Sequence, residues 1–256
     1  MNNTPLKNTS NNIKHKPSSK DGKYGKQLCL DFGQKSIHTI HCKVCDMSYT
    51  RAQPYELKLH ERYHKNYVSG VEVSSLLKLK SMKLIKDDIL VNNERCFIIM
   101  ISNNGNAKLN EKVEEIHKFL NTSLNAPELP SDVKSNSQTY IFINDKNRCL
   151  GACITSPINF AFKVDTHNFD QNQLSSLTID KSRRYNVKIG IHRIHVLSQY
   201  RRKGIASRIL NAISGNSIYG NVLATDDLAF SQPTTDGARL ALKWNKCKPD
   251  FLVFED

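Results

Sequence analysis

"RIHVLSQYRRKGIASRIL", residues 193–210, decides the fold: an apolar stretch runs into a basic turn around one glycine and leaves it as a helix. Ile205, Ile209 and Ile213 recur one helical turn apart, so the order is strand, turn, helix. Arg201, Gly204 and Ala206 form an Arg-x-x-Gly-x-Ala pattern where the strand gives way to the helix. At such a junction several backbone N–H groups point one way and the helix dipole adds positive potential, which suits a pyrophosphate. Small residues let the anion come close. By itself the pattern is equally compatible with a basic connection that holds nothing.

Working outward, "KIGIHRIHVL" (188–197) extends the strand upstream, and "LAFSQPTTDGARLALKW" (228–244) reads as strand and then helix before a last apolar strand, "DFLVFE" (250–255). Further back, "MKLIKDDILV" (82–91) and "ERCFIIMI" (94–101) read as two strands joined at Asn92 and Asn93. Val113, Ile116, Leu120 and Leu124 fall at helical spacing, which predicts a helix over 109–125 that ends before Pro127. "QTYIFIND" (138–145) and "CLGACITS" (149–156) read as a hairpin, and the polar stretch 163–186 as a long loop. This order predicts an α+β domain around one mixed β-sheet.

Lys and Arg total 37 against 24 Asp and Glu, a net charge of +13, which favours an anionic partner such as nucleic acid, chromatin or a phosphorylated cofactor. Much of the excess lies in residues 1–36, where seven lysines face only Asp21 and Asp31 among Asn, Ser and Thr. Such a tail buries too little apolar area to order itself. No apolar run approaches a membrane span and no signal core opens the chain, so a soluble, intracellular protein is expected. Seven cysteines in no even framework argue against a disulfide-stapled fold.

Two of those cysteines stand in "HCKVCDMSYTRAQPYELKLHERYH" (41–64). Cys42 and Cys45 have two residues between them, fourteen separate Cys45 from His60, and three separate His60 from His64. Two thiolates from a tight turn and two imidazoles one helical turn apart make a closed tetrahedral zinc site. Protein fills all four positions, so the metal folds the module rather than catalysing, and docking is a better role for one finger than sequence-specific DNA reading. The expected division is a disordered basic tail (1–36), a ββα zinc finger (37–66), a linker (67–82) and the main domain (83–256).

The joint pattern resembles a known family. "IGIHRIHVLSQYRRKGIASRIL" (189–210), "LNAP" (124–127), "IYG" (218–220) and "AFSQPTTDG" (229–237), together with the finger and "QLCLDFGQK" (27–35) before it, are similar to the cohesin acetyltransferases of the GNAT superfamily. The resemblance implies a GNAT-like domain that transfers acetyl from acetyl-CoA to a lysine of a cohesin core subunit, in the nucleus, to establish sister-chromatid cohesion during replication. It places the cofactor along Ile194, His195 and Val196. Its pyrophosphate falls over Arg202, Lys203, Gly204, Ile205, Ala206 and Ser207, and Thr234, Thr235 and Asp236 lie further along. The chromatin would meet the basic tail, and the segment at Gln27 and Leu30 partly matches peptides that bind the replicative sliding clamp.

Acetyl transfer to lysine requires a neutral amine, so a base must take its proton. Where the family carries an acid on the helix and another in the "SQPT" segment, this chain carries Asn211 and Gln232. His192 is then the expected base, placed by alternation with Ile194 and Val196 unless a β-bulge interrupts the strand, with Asn211 in a polar supporting role. The other reading of His192 is a hydrogen-bonded histidine of the sheet. Asp226, Asp227 and Asp236 are further acids near the site, and Tyr219 is a candidate to protonate the leaving thiolate. Two other functions remain open: a zinc-finger chromatin adaptor whose GNAT-like domain is catalytically weakened, and a small-amine acetyltransferase.

Overall fold

The computed structural model describes residues 38–78, 82–102, 107–165, 178–245 and 250–255. The expected basic tail and the segment around Gln27 lie outside them.

The short hairpin β1 (Thr39–His41) and β2 (Ser48–Thr50) leads into α1 (Pro54–Ser69), the ββα arrangement expected of the finger. Pro54 opens the helix, where its missing N–H costs nothing, and the Glu56 carboxylate accepts the Thr50 N–H at 2.7 Å to tie helix to hairpin. No side chain of α1 is fully buried. So polar a helix draws its stability from what holds its two ends rather than from its own sequence.

Of residues 67–82, expected as a linker, the described part 67–78 is instead structured. The last turn of α1 continues to Ser69, Gly70 turns the chain, and β3 (Val71–Glu72) pairs with Cys149 and Arg148 of the main sheet. Val71, Val73 and Leu76 are buried in the core. The finger is therefore built into the domain through packed chain. Periodicity missed this because a two-residue strand carries no pattern of its own.

The main sheet runs β4 (Met82–Val91), β5 (Glu94–Ser102), β6 (Gln138–Asn144), β7 (Arg148–Pro157), β10 (Ile189–Val196), β11 (Leu228–Ser231), β12 (Leu252–Phe254), β8 (Phe160–Asp165) and β9 (Thr178–Asn186). The pairs are antiparallel except β10 with β11 and β11 with β12, which gives the mixed α+β sheet. β6 and β7 are buried almost end to end, which explains their continuous apolar runs. The polar stretch 163–186 is not one loop: β8 and β9 pair across it, and only 166–177 falls outside the described residues.

Among the described residues, three longer helices cover the sheet: α2 (Ala107–Leu124), α4 (Ile205–Asn216) and α5 (Thr235–Trp244); α3 (Ser131–Ser135) is a single turn. α2 seats Ile116 and Leu120 in the core, and α4 seats Ile205, Ile209 and Ile213, the spacing that the sequence shows.

Three histidines are buried among the described residues: His192 at the cleft, and His117 and His195. His117 on α2 shares a hydrogen bond of 2.9 Å with the Thr139 hydroxyl, and His195 on β10 meets the Phe119 ring edge-on at 5.8 Å. Burial pushes both imidazoles down from 6.5 to about 4, with Arg201 adding to the effect at His195. The folded state thus binds fewer protons than the unfolded chain between these values, so stability is full above pH 6.5 and falls as pH drops toward 4. A urea-denaturation midpoint measured across pH 7 to 4 should decline, and His117→Gln should flatten the decline. Gly70 holds φ +82°, and a Cβ there would overlap the Cys149 carbonyl oxygen. Gly70→Ala should lower unfolding stability by about 3 kcal/mol in the same assay.

Candidate active site

The cleft forms where two parallel strands part. β10 and β11 pair only from Ile189↔Leu228 to Ile191↔Phe230, while β10 continues to Val196 against β7. The register of β10 on β7 slips between Ile191 and Arg193, so His192 is the extra residue of a β-bulge. Its carbonyl leaves the ladder: the Ser231 hydroxyl donates to it at 2.8 Å and the Arg193 guanidinium at 2.8 Å. Arg193 also reaches Ser231 Oγ and the Pro127 carbonyl, both at 3.4 Å, which ties the bulge to the segment after α2. Beyond the bulge, no strand among the described residues covers the β11 side of β10, and its backbone groups face a cavity of about 510 Å³.

At the far end of this cavity, Arg201 and Arg202 lead into Gly204, the N-cap of α4, with φ 78° and ψ 8°. That left-handed conformation favours glycine. Among the described residues no side chain caps the helix, and its first backbone bond runs from Arg208 N to Gly204 O at 3.0 Å. The N–H groups of Ile205, Ala206 and Ser207 precede the ladder and point outward at the positive end of the helix dipole. Asp236, at the start of α5, draws Arg202 to 3.3 Å, Arg239 to 3.7 Å and Arg201 to 3.9 Å. Three guanidiniums against one carboxylate leave the turn strongly positive. Unsatisfied N–H groups beside excess cations are what a pyrophosphate requires, so the chain's own residues fit the phosphates of acetyl-CoA.

The structure brings together most of the expected residues. His192, Ile194, His195, Val196, Arg202, Gly204, Ile205, Ala206, Ser207, Thr234 and Asp236 all line the cavity. Lys203 and Thr235 do not. Thr235 is the first residue of α5, after the N-cap Thr234, whose hydroxyl accepts the Gly237 N–H at 3.3 Å. Asn211 is not brought to the cavity. It is exposed on the face of α4 away from Ile209, and its carbonyl accepts the Trp244 indole N–H at 2.8 Å, joining α4 to α5. Tyr219 also lies away, fully exposed on the turn after α4, and Asp227 is held by Lys188 at 3.0 Å. Gln232 lines the cavity, as do Arg193, Ser231, Arg239 and Lys243, which sequence reasoning passed over. Arg239 and Lys243 stand one turn apart on α5, a spacing that could have found them; Arg193 and Ser231 join only through the bulge.

Two imidazoles line the cavity, and they differ in surroundings. His195 sits beside Arg201, which together with burial holds its ring neutral and makes it a poor proton acceptor. His192 Nε2 lies 2.7 Å from the Ser156 hydroxyl, and the ring meets Phe254 edge-on at 5.0 Å. Ser156 can accept from an imidazolium or donate to an imidazole, so this pair can serve either charge state. Among the described residues lining the cavity, Asp236 is the one carboxylate, and arginines occupy it.

In the finger, ligand atoms of Cys42, Cys45, His60 and His64 lie within 4.8 Å of one another. Backbone N–H groups, Cys45 foremost, and the His60 side chain pull the Cys42 thiol down to about 5, while burial raises Cys45. The His60 ring stacks on Tyr49 with centroids 3.9 Å apart, and its Nε2 is buried with no hydrogen-bond partner. A buried orphan nitrogen facing two thiols and a second imidazole fits a tetrahedral metal ion.

Comparison with known proteins agrees with both halves. A family model described as ESCO1/2 acetyl-transferase matches residues 185–254, and one described as zinc-finger of acetyl-transferase ESCO matches residues 27–66. Human N-acetyltransferase ESCO1 is 28% identical over 228 residues, 86% of this chain but 26% of that protein. The chain thus spans about a quarter of its length, against 37% of human ESCO2. The N-acetyltransferase ECO1 of Debaryomyces hansenii is 28% identical over 264 residues, covering 92% of this chain and 88% of that one. A solved structure, the xEco2 acetyltransferase domain bound to a K105-CoA conjugate, shares 30% identity with a TM-score of 0.59 over 69% of this chain and 99% of that domain. With its finger and its domain both matched in order, the chain belongs to the ESCO/Eco1 family of N-acetyltransferases.

Proposed function

We propose that the chain is an acetyl-CoA-dependent protein-lysine N-acetyltransferase acting on a cohesin core subunit in the nucleus. The observation that carries this reading is the cleft between β10 and β11, which runs from the His192 bulge to the glycine turn of α4. Acetyl-CoA supplies the thioester from which an acetyl group is transferred. The open edge of β10 at Ile194, His195 and Val196 offers backbone hydrogen bonds to an extended ligand. The N–H groups of Ile205, Ala206 and Ser207, with Arg202, Arg239 and Lys243, bind phosphates. A solved relative bound to a K105-CoA conjugate supports the same pairing of cofactor and lysine.

His192 takes the proton of the incoming ammonium, and the Ser156 hydroxyl orients the ring and stabilises its charged form. Asn211 has no part in this step, because Trp244 holds its carbonyl outside the cavity. Zinc on Cys42, Cys45, His60 and His64 is structural. Contact with chromatin through the basic tail, and with the sliding clamp through the Gln27 segment, completes the assignment.

The scarcity of free carboxylates in the cavity is what favours the second reading, a zinc-finger chromatin adaptor with a weakened domain. Incubation with acetyl-CoA and purified cohesin subunits, read by mass spectrometry, separates the two. Acetyl-lysine on a cohesin subunit is the expected result; CoA binding with no modified lysine would leave the adaptor. His192→Ala should lower kcat by about 100-fold, because the proton of the incoming amine then has no acceptor in place. An unchanged rate removes His192 from the mechanism.

A further inference from the structure

We propose that Tyr67 and Gln199 are positioning residues through which the finger helix sets the affinity of the phosphate turn for CoA. The inference rests on the cofactor reading above and adds to it a physical link between metal site and cleft.

β3 takes its place beside β7 at Cys149 and Arg148, just past the point where β10 ends at Val196↔Gly151. The end of α1 and the end of β10 therefore meet along one side of β7. The Tyr67 hydroxyl lies 3.1 Å from Ser198 Oγ, and the Gln199 side-chain amide donates to the Val68 carbonyl at 2.5 Å. Ser198 and Gln199 form the single 3-10 turn that delivers Tyr200, Arg201 and Arg202 to the cavity. Arg202 itself holds φ 61°, a left-handed backbone that a non-glycine residue keeps only when its surroundings fix it. A second path leads from Tyr63 to Phe119, ring centroids 6.1 Å apart, and from Phe119 to His195 at 5.8 Å, in the strand that lines the cavity.

Both paths begin on one helix. His60 and His64 lie in the same α1 as Tyr63, Tyr67 and Val68, and that helix buries no side chain fully. Its N-terminal half is held by the ligand His60 and by Glu56, its C-terminal half by the ligand His64 and by Tyr63 and Tyr67 packing on the core. A helix of this length and polarity frays without an anchor. Losing the metal loosens Tyr67 and Val68, frees the 198–200 turn, and raises the ordering cost of binding an anion at Gly204. By linkage, CoA then tightens the metal by the same factor.

CoA binding to the zinc-loaded full chain is measured by calorimetry for wild type, Tyr67→Phe, Gln199→Ala, the pair, and Ser198→Ala, which removes the Tyr67 contact from the domain side. Each single substitution should weaken CoA about threefold and the pair about tenfold, the range of one and two lost hydrogen bonds. The KM for acetyl-CoA should rise with kcat unchanged at saturation. Stripping zinc from wild type should weaken CoA by a similar factor, stripping it from the double variant should change little further, and CoA should raise zinc affinity against a chromogenic chelator. Unchanged CoA affinity in every variant, or an equal loss on zinc removal in wild type and double variant, overturns the inference. Failure of wild type to bind CoA at all would instead overturn the cofactor reading.

Discussion

The carbonyl of His192 is taken out of the sheet by the hydroxyl of Ser231 and the guanidinium of Arg193, and the site depends on that exchange. A parallel pair of strands ordinarily satisfies its backbone groups in its own ladder. Here the bulge ends the ladder after three residue pairs, and two side chains satisfy the displaced carbonyl. Without them, a buried carbonyl would be left unpaired or β10 and β11 would close. The parting of the strands opens the cavity, bares the edge of β10, and aims the chain at the glycine turn.

The turn then adds charge to shape. Helix geometry leaves the first N–H groups of α4 unpaired, and Gly204 allows the left-handed entry that exposes them. Arg201, Arg202 and Arg239 converge from two segments on Asp236, which holds them in place before any anion arrives. An exposed ion pair of this kind contributes little to stability. Its effect is preorganisation: the guanidiniums are gathered at the turn, so a phosphate need not gather them.

How much of this was legible follows from which interactions are local. The finger could be read because a metal fixes ligand spacing within one hairpin and one helix, and the four ligand atoms converge. Strand, glycine turn and Ile-rich helix could be read for the same reason. Asn211 was misplaced although the helical period held the answer: two residues after Ile209, it must face away from the core. The structured stretch after Ser69 was hidden because β3 is two residues long and gains its meaning from Cys149, far along the chain. Arg193 and Ser231 were hidden too, since their role exists only once β10 and β11 are side by side. The β-bulge at His192 could be named as a possibility, but its position depends on register with β7, which no single strand encodes.

The central claim is that the cleft between β10 and β11 is an acetyl-CoA site, and a crystal structure of the full chain with CoA tests it most directly. The account predicts pyrophosphate density on the N–H groups of Ile205, Ala206 and Ser207, with the pantetheine arm running along Ile194 to Val196 toward His192. Density for CoA elsewhere, or β10 and β11 closed against each other with the cofactor absent at saturating concentration, would contradict it.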